Sequence, residues 1–371
     1  MVLKLKKGNI KFFLAAESLT PGNGGICRVA RLAMRAIGDW IAEHGEAARG
    51  VVLSDKFPPA DAPFPIQACG GSRLKFVAAT RAAALTCNRF VYDFLGMARA
   101  HCRMPLFNHP FLAFICGIEI WEQARPDRLA WSRRADTLVS ISEYTRGRAE
   151  ALHGGFARAR LCWLGTETDT SPDKRAIAPH PPRVLILSRM SRAENYKGHR
   201  ELIAAWPAVA AAAPGAVLTI AGGGDALADY RRQAAASPVA DRIEFRGFVP
   251  EQSMDELWAQ TDVFAMPSRN EGFGLVYIEA MRHGLPVIAS VHDAGREVNV
   301  DGLTGWNVNL DQPGALADRI IRLLQNPAER RRMGAAGFAR WDAHFRYARF
   351  RERFLEILND LAAIPRGHAG G

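Results

Sequence analysis

The sequence predicts an α/β protein of two doubly wound domains, each built on a parallel sheet with helices on both faces. Short apolar segments alternate with longer amphipathic segments along the chain, which is the pattern of repeated strand–helix units. A chain of 371 residues is long enough for two domains of ordinary size. A polar segment at 165–183 with four prolines separates two such alternating regions.

In the first region the predicted strands are short runs rich in Val, Ile, Leu and Phe, as expected for strands buried on both faces of a parallel sheet. They are predicted at 11–15, 51–53, 75–78, 90–92, 112–116, 137–141 and 160–164. Helices are predicted at 28–43 and 143–152, and Ser142 is the expected N-cap of the second.

The same alternation restarts after the polar segment. Strands are predicted at 184–188, 216–221, 243–245, 263–266, 286–290 and 306–308. Helices are predicted at 198–213, 225–236, 251–260, 275–283, 312–325, 327–337 and, with clear amphipathic spacing, 345–362. We therefore predict an N-terminal domain at 1–170, a linker at 171–183 and a C-terminal domain at 184–344, with ligands bound at the carboxyl ends of the strands.

Charge is spread unevenly over the chain. The net charge is +10, and residues 1–180 carry 25 basic and 16 acidic side chains against 23 and 22 in the rest. A basic half indicates contact with an anionic surface, such as lipid phosphates or a membrane, unless it is simply a solvated face. No nucleic-acid-binding motif is recognisable, so no nucleic-acid partner is expected.

The cysteines and the lengths of the apolar segments both bear on the cellular compartment. The six cysteines form no C-x-x-C pair and no zinc-ligand spacing, so free thiols and no bound metal are expected. No apolar run approaches the roughly 18 residues of a membrane span, and the run at 12–16 is too short for a signal peptide. We expect a cytoplasmic protein.

The strongest chemical signal lies at 267–281. A glycine-bearing turn joins the strand at 263–266 to a helix that starts near Leu275, and Gly272 and Gly274 allow main-chain N–H groups to approach an anion. Glu271 lies at the mouth of this turn, and Glu279 follows eight residues later on the helix. The turn is predicted to hold phosphate or sugar oxygens. Glu271 would then face a sugar, and Glu279 a ribose diol, whose two hydroxyls one carboxylate can accept.

A second signal follows the strand at 184–188. Arg189 and Lys197 lie after this strand and before the next helix, with Arg192 as a substitute cation. Fixed cations stabilise the negative charge that grows on a departing nucleoside diphosphate. We predict that Arg189 and Lys197 hold such a group.

Two weaker glycine signals complete the candidate site. Gly24 and Gly25 follow the first strand in a loop that resembles a phosphate loop but lacks the full dinucleotide fingerprint, so a plain turn is the alternative. Gly295, after the strand at 286–290, is a candidate for a direct contact with the donor.

Together these residues make the chain resemble glycosyltransferase family 4, whose members have the GT-B fold of two Rossmann-like domains facing across a cleft. The resemblance covers nearly the full length and is strongest over 183–310. It rests on Glu271-Gly-Phe-Gly-Leu with Glu279-Ala, on Arg189 with Lys197-Gly198, and on the N-terminal segments around Gly24-Gly25 and Gly117-Ile-Glu-Ile-Trp121.

The resemblance implies a metal-independent, retaining transfer of a hexose from a nucleotide-sugar donor, of the GDP-mannose or UDP-glucose type, to a lipid-linked, glycolipid or polysaccharide acceptor. Glu271, Arg189 and Lys197 would be catalytic. Donor-binding residues would be Glu279, Gly272, Phe273, Gly274, Leu275, Gly24, Gly25 and Gly295. The resemblance further implies that helix 345–362 packs back on the N-terminal domain.

On the acceptor side, Glu119 and His109 are the candidate residues. Members of the family often carry a histidine where this chain has Cys116, and neither His101 nor His109 aligns with that position. The basic N-terminal domain suits an acceptor at an anionic membrane, with peripheral association at the inner face of the cytoplasmic membrane. Two alternatives are also compatible with the sequence: a nucleotide-sugar epimerase on the same fold, and a non-catalytic anion-binding protein.

Overall fold

The chain forms two compact units in the computed structural model, which describes residues 10–22, 24–172 and 180–365. Unit 1 contains Met1–Glu167 and Tyr347–Gly371, and unit 2 contains Thr168–Arg346. Most of the predicted linker, residues 173–179, lies outside the described residues.

Unit 1 is built on a seven-stranded parallel sheet in the order β3-β2-β1-β4-β5-β6-β7. Its strands are β1 Lys11–Ala16, β2 Ala47–Val52, β3 Ile66–Ala68, β4 Arg89–Tyr92, β5 Phe111–Ile115, β6 Thr137–Ser140 and β7 Arg160–Leu161. Its helices are α1 Gly25–His44, α2 Arg73–Ala83, α3 Pro126–Arg134, α4 Glu143–His153 and, from the end of the chain, α12 Tyr347–Ala363.

Unit 2 is built on a six-stranded parallel sheet in the order β10-β9-β8-β11-β12-β13. Its strands are β8 Arg183–Leu187, β9 Val217–Ala221, β10 Ile243–Gly247, β11 Val263–Ala265, β12 Val287–Ser290 and β13 Gly305–Val308. Its helices are α5 His199–Ala212, α6 Leu227–Ala235, α7 Met254–Ala259, α8 Leu275–Arg282, α9 Gly295–Val298, α10 Ala315–Gln325 and α11 Pro327–His344. Two parallel sheets with flanking helices confirm the predicted fold class.

The strand order fixes where each unit can bind a ligand. In each sheet the chain first builds outwards in one direction and then returns to build in the other, so the order reverses between β1 and β4 in unit 1 and between β8 and β11 in unit 2. Loops that leave neighbouring strands in opposite directions open a crevice at the carboxyl ends of those strands. The residues that directly follow β8 and β11 are therefore the first candidates for a site in unit 2.

The predicted strand at 75–78 is wrong, because these residues belong to α2. The Ser72 side chain caps this helix by accepting a hydrogen bond from the N–H of Lys75 at 3.4 Å. The true third strand, β3, has only three residues, none of them fully buried, and its apolar signal is correspondingly weak. Helix α3 was also missed, although Pro126 at its first turn is a typical start signal.

Helix α1 anchors both places where the chain passes from one unit to the other. Near the first, Glu167 pairs with Arg28 and Arg31, and Arg35 donates to the Glu167 carbonyl at 2.8 Å. Near the second, the Arg35 guanidinium lies 3.5 Å from the centre of the Tyr347 ring. One arginine of α1 therefore contacts both connecting segments.

The returning helix α12 is held on α1 and β4 by buried polar contacts. Trp40 of α1 donates from its indole N–H to Asn359 at 2.7 Å. The buried Arg89 guanidinium donates to the main-chain carbonyls of Leu361 at 2.7 Å and Ala362 at 2.8 Å, and also to Ile364. A guanidinium at the last carbonyls of a helix satisfies acceptors that have no partner within the helix.

Of the helices in the described part of the chain, none combines the length and the apolar character that crossing a bilayer requires.

Candidate functional site

Three loops at the carboxyl ends of adjacent strands form the candidate site in unit 2. They follow β8, β11 and β12, which are neighbours in the sheet. Each loop supplies one ionisable side chain that contacts the next: Lys197 after β8, Glu271 after β11 and Asp293 after β12. Lys197 and Glu271 were predicted from the sequence, and Asp293 was not.

Lys197 and Glu271 form an ion pair. The Lys197 Nζ lies 2.5 Å from Glu271 Oε2, and both side chains are largely buried, with 14% and 18% of their surface exposed. Burial alone would lower the pKa of Lys197, but the carboxylate of Glu271 outweighs it and raises that pKa above its usual value. Lys197 is therefore a permanent cation at the switch point of this sheet, the place between β8 and β11 where the strand order reverses.

The loops after β8 and β11 approach closely enough to make this pair because of one glycine. Gly198 has φ +96°, and a Cβ on it would lie 2.8 Å from Pro267. The N–H of Arg269 also donates to the Tyr196 carbonyl at 3.0 Å. Any larger residue at 198 would push the two loops apart.

The turn after β11 leads into α8 as the sequence predicted. Gly274 precedes the helix with φ +91°, and a Cβ there would lie 2.2 Å from the ring of Tyr277. Tyr277 is fully buried and donates its hydroxyl hydrogen to the Met266 carbonyl at 2.6 Å, so it fixes the end of β11 under the turn. Sequence reasoning missed Tyr277, because its spacing does not show that its hydroxyl reaches the Met266 carbonyl.

The remaining predicted donor residues differ in what they present. Gly272, Leu275 and Glu279 are all partly exposed, the last on α8. The Phe273 side chain is buried, with its ring 6.0 Å from that of Phe345, so only its main chain is available to a ligand.

Arg189 lies in the predicted loop but has a different partner. Its guanidinium is exposed and pairs with Glu194. Arg192, the predicted substitute cation, pairs with Asp229 at 2.9 Å. The structure therefore brings Lys197, and not Arg189, into contact with Glu271.

Asp293 joins the loop after β12 to the loop after β11. It is fully buried, and its two carboxylate oxygens accept from the N–H of Glu271 at 2.8 Å and the N–H of Gly295 at 2.9 Å. Burial, with a smaller contribution from the nearby Glu271 charge, raises the pKa of Asp293 to about 7. Gly295, a predicted donor contact, is buried and donates its N–H to Asp293, and its contact with the donor stays a prediction.

In unit 1, the glycines of the predicted loop lie where α1 begins. Gly24 precedes the helix and Gly25 is its first residue. The loop leaves β1, one of the two strands at the switch point of this sheet. Main-chain N–H groups at the start of a helix can bind an anion, so the predicted donor contact of Gly24 and Gly25 stays a prediction. Asn23, which precedes Gly24 in this loop, lies outside the described residues.

The two predicted acceptor residues do not lie together. Glu119 follows β5, at the carboxyl edge of the sheet, and accepts from the N–H of Cys116 at 2.5 Å. His109 precedes β5, at the opposite edge, and its Nε2 lies 2.9 Å from the Ala84 carbonyl. The assignment of both residues to one acceptor site is therefore wrong for His109, because a strand separates them.

The family position at Cys116 is occupied by a poorly ionisable thiol. Burial, together with the carboxylates of Glu119 and Asp93, raises the pKa of Cys116 well above its usual value. The thiol lies 3.7 Å from the Asp93 carbonyl. It offers neither a charge nor the two-sided hydrogen bonding of an imidazole.

Comparison with protein families matches residues 170–340, the greater part of unit 2, to the family described as glycosyl transferases group 1. Among similar proteins is the GDP-mannose-dependent alpha-(1-6)-phosphatidylinositol monomannoside mannosyltransferase of Mycolicibacterium smegmatis, 33% identical over 55% of this chain and 56% of that one. A monoacylated-substrate counterpart from Corynebacterium glutamicum is 32% identical over 60% of this chain and 62% of that one. The matches span less than two thirds of these relatives.

Solved structures share the fold over nearly the whole chain. Anabaena HepE in complex with UDP and glucose superposes with a TM-score of 0.76 and 16% identity, covering 94% of this chain and 99% of that one. Sucrose-phosphate synthase from Thermosynechococcus elongatus superposes with a TM-score of 0.79 and 22% identity, covering 95% and 99%. The chain thus has the GT-B fold, and its residues 170–340 are similar to the family of glycosyl transferases group 1.

Proposed function

We propose that this protein is a glycosyltransferase that moves a hexose from a nucleoside diphosphate sugar to a glycolipid or other lipid-linked acceptor. The observation that carries the proposal is the Lys197–Glu271 ion pair at the switch point of unit 2. A buried cation and a carboxylate at this place match a ligand that is part anion and part polyol. The similarity to GDP-mannose-dependent mannosyltransferases favours GDP-mannose over UDP-glucose as the donor.

Lys197 is the proposed partner of the leaving diphosphate. An ammonium group has three donors, and one is directed to Glu271, which leaves two for phosphate oxygens. A fixed cation stabilises the charge that grows on the diphosphate as the glycosidic bond breaks. Arg189 would contribute after leaving Glu194, which its exposed position allows.

Glu271 is the proposed partner of the transferred sugar, and Glu279 of the ribose. Glu271 is held by Lys197 through its side chain and by Asp293 through its main chain. A carboxylate fixed in this way accepts hydrogen bonds from sugar hydroxyls at a defined position. Such orientation of the reacting carbon is itself a large part of catalysis.

The stereochemistry, the metal requirement and the membrane association are parts of the same proposal. The resemblance to family 4 favours retention of the anomeric configuration, and the cation at 197 supplies charge stabilisation without a divalent metal. The net positive charge of residues 1–180 favours a peripheral contact with an anionic membrane that carries the acceptor. Transfer that is unchanged by EDTA and a product with the donor's anomeric configuration are the expected outcomes.

A thermal-shift panel of GDP, UDP, GDP-mannose and UDP-glucose tests the donor site. Binding stabilises the native state, and at 100 times Kd the melting temperature of a domain of this size should rise by about 5–10 °C. Guanine nucleotides should give the larger shift. Lys197→Met and Arg189→Ala should each abolish most of it, whereas Arg331→Ala, on an exposed position of α11, should leave it intact.

A protein that no nucleotide in the panel stabilises, and that transfers no sugar from either donor, would overturn the proposal.

A further inference from the structure

We propose that Asp293 is a positioning residue for the transfer reaction: it fixes the main chain of Glu271, and through it the carboxylate that the sugar meets. The inference rests on the proposed function, since it concerns the same site. It differs from the roles drawn from family resemblance, which do not include this residue. Asp293 itself is fully buried, so its effect on the sugar would be transmitted through Glu271.

The first support is the geometry of the two loops. The Glu271 N–H donates to Asp293 Oδ2 at 2.8 Å, and the N–H of Ala294 donates back to the Glu271 carbonyl at 3.1 Å. The peptide groups on both sides of the Glu271 Cα are therefore tied to the loop after β12. With its side chain bound to Lys197, Glu271 is held at three points.

The second support is that Asp293 is itself held in one orientation. Its other oxygen accepts from the N–H of Gly295 at 2.9 Å, and a Cβ on Gly295 would lie 3.0 Å from that oxygen and 3.0 Å from the Tyr277 ring. Below it, the Ser290 hydroxyl donates to the Ser268 carbonyl, which joins the same two loops again. A carboxylate that accepts two fixed main-chain donors has a single productive position.

The third support is that only the ionised carboxylate accepts both N–H groups fully. Protonation converts one oxygen into a hydroxyl and weakens one of the two bonds. Burial raises the pKa of Asp293 to about 7, so this change falls in the neutral range. The charged or titratable side chains around Asp293 are Glu271, whose charge raises the pKa further, and Tyr277 of α8, whose own pKa is raised well above 10.

Two other groups near the site, Lys197 and His199, keep their charge state through this range. Lys197 has a pKa above its usual value, and burial lowers the pKa of His199 at the start of α5 to about 4. His292, beside Asp293 in the chain, has its imidazole 3.8 Å from the Asp311 carboxylate, and Asp311→Asn is the control for a contribution from that pair.

The test compares Asp293→Asn with wild type and with Asp311→Asn. An asparagine of the same shape accepts only one of the two N–H groups and turns a donor toward the other. We expect kcat to fall about 10- to 100-fold, as for other residues that orient a catalytic group. The Kd of the nucleoside diphosphate should stay within about threefold of wild type, because Lys197 and Glu279 are untouched. Asp311→Asn, on an exposed ion pair with Arg269, should keep the wild-type kcat.

The pH profile gives a second readout that a purely structural role would not move. In wild type, kcat should rise as the pH increases through about 7, and this rise should be missing in Asp293→Asn but present in Asp311→Asn. A wild-type profile that is flat between pH 6 and 8 would overturn the inference even if the asparagine variant does not fold. So would an Asp293→Asn enzyme with wild-type kcat.

These outcomes are distinct from failure of the proposed function. In that case the wild-type protein would neither bind a nucleoside diphosphate nor transfer a sugar. A loss of nucleotide binding in Asp293→Asn equal to its loss of kcat would show a collapsed loop and would also count against a positioning role.

Discussion

The strand order reverses between β1 and β4 in unit 1 and, in the same way, between β8 and β11 in unit 2. The side chains that follow these strands nevertheless differ between the two units. In unit 2 they include a buried cation, Lys197, paired with Glu271. In unit 1 they include Asp93, a buried carboxyl group. The same topology therefore offers a crevice in both units, and the side chains that line the two crevices differ in charge.

The two buried aspartates make the comparison sharper. Asp93 follows β4 and accepts from the N–H of Glu17 at 2.8 Å, just as Asp293 accepts from the N–H of Glu271. Both tie the loop of one strand to that of its neighbour. Burial raises the pKa of both, well above the usual value for Asp93 and to about 7 for Asp293. Only the loop held by Asp293 carries a carboxylate paired with a cation.

Buried cations also serve different ends in the two units. Arg89 starts β4, at the amino edge of its sheet, and its donors are used on the carbonyls at the end of α12. Lys197 lies at the carboxyl edge of its sheet and directs one of its three N–H donors to Glu271. The first arrangement stabilises a fold, and the second suits a ligand.

The largest expected effect comes from removing the carboxylate in unit 2. Glu271→Gln should lower the rate of sugar transfer by about 100- to 10,000-fold, because the carboxylate that we propose orients the sugar, and that pairs with Lys197, loses its charge. Steady-state transfer from radiolabelled donor measures this. Glu256→Gln, on an exposed position of α7, is the control. Wild-type turnover in the Glu271 variant would remove the distinction between the two crevices.

The next effect should be one of stability and confined to unit 1. Arg89→Ala leaves the last carbonyls of α12 without donors in a buried place, and we expect a loss of about 3 kcal/mol in the free energy of unfolding. Urea unfolding followed by tryptophan fluorescence reports it through Trp40, which bonds α12. Arg160→Ala removes an exposed ion pair to Asp360 on the same helix and should cost less than about 1 kcal/mol. Equal losses in the two variants would contradict the role of Arg89.

The smallest effect is expected at Asp93. Because burial favours its uncharged form, Asp93→Asn should change the free energy of unfolding by less than about 1 kcal/mol at pH 5. A raised pKa stabilises the folded state at low pH, and this contribution is lost as the pH rises. The asparagine variant has no carboxyl group at this position and does not lose this contribution. Its free energy of unfolding should therefore rise relative to that of wild type between pH 5 and 8. Melting temperatures across this range measure the difference, and a variant that falls further behind at pH 8 would disprove it.

Most of the fold could be predicted from the sequence, because buried parallel strands are recognisable as continuous apolar runs. The strands of unit 2 were placed within one or two residues of their observed bounds for this reason. The run Lys75-Phe-Val-Ala satisfied the same pattern and is helical, since Ser72 caps it and β3 already occupies the edge of the sheet. Local sequence patterns do not show which short segment forms the edge strand of the sheet.

The site was predictable where residues lie in a compact motif and not where contacts join distant loops. The turn from Glu271 to Leu275 and the Arg189–Lys197 segment both have a readable spacing. Asp293 is one acidic residue in a short loop, and only the pairing of β11 with β12 shows that it reaches Glu271. His109 shows the converse failure, since sequence proximity to β5 does not say at which end of the strand a residue lies.

The position of α12 has a consequence for how the protein is made. This helix is translated after all of unit 2, but it packs on α1 and receives the donors of Arg89 in unit 1. During synthesis, unit 1 therefore lacks its last helix while some 180 residues of unit 2 are added to the chain. Until the final helix emerges, the surface of α1 that α12 covers in the folded protein lacks that cover. A truncation before residue 347 would make that transient state permanent.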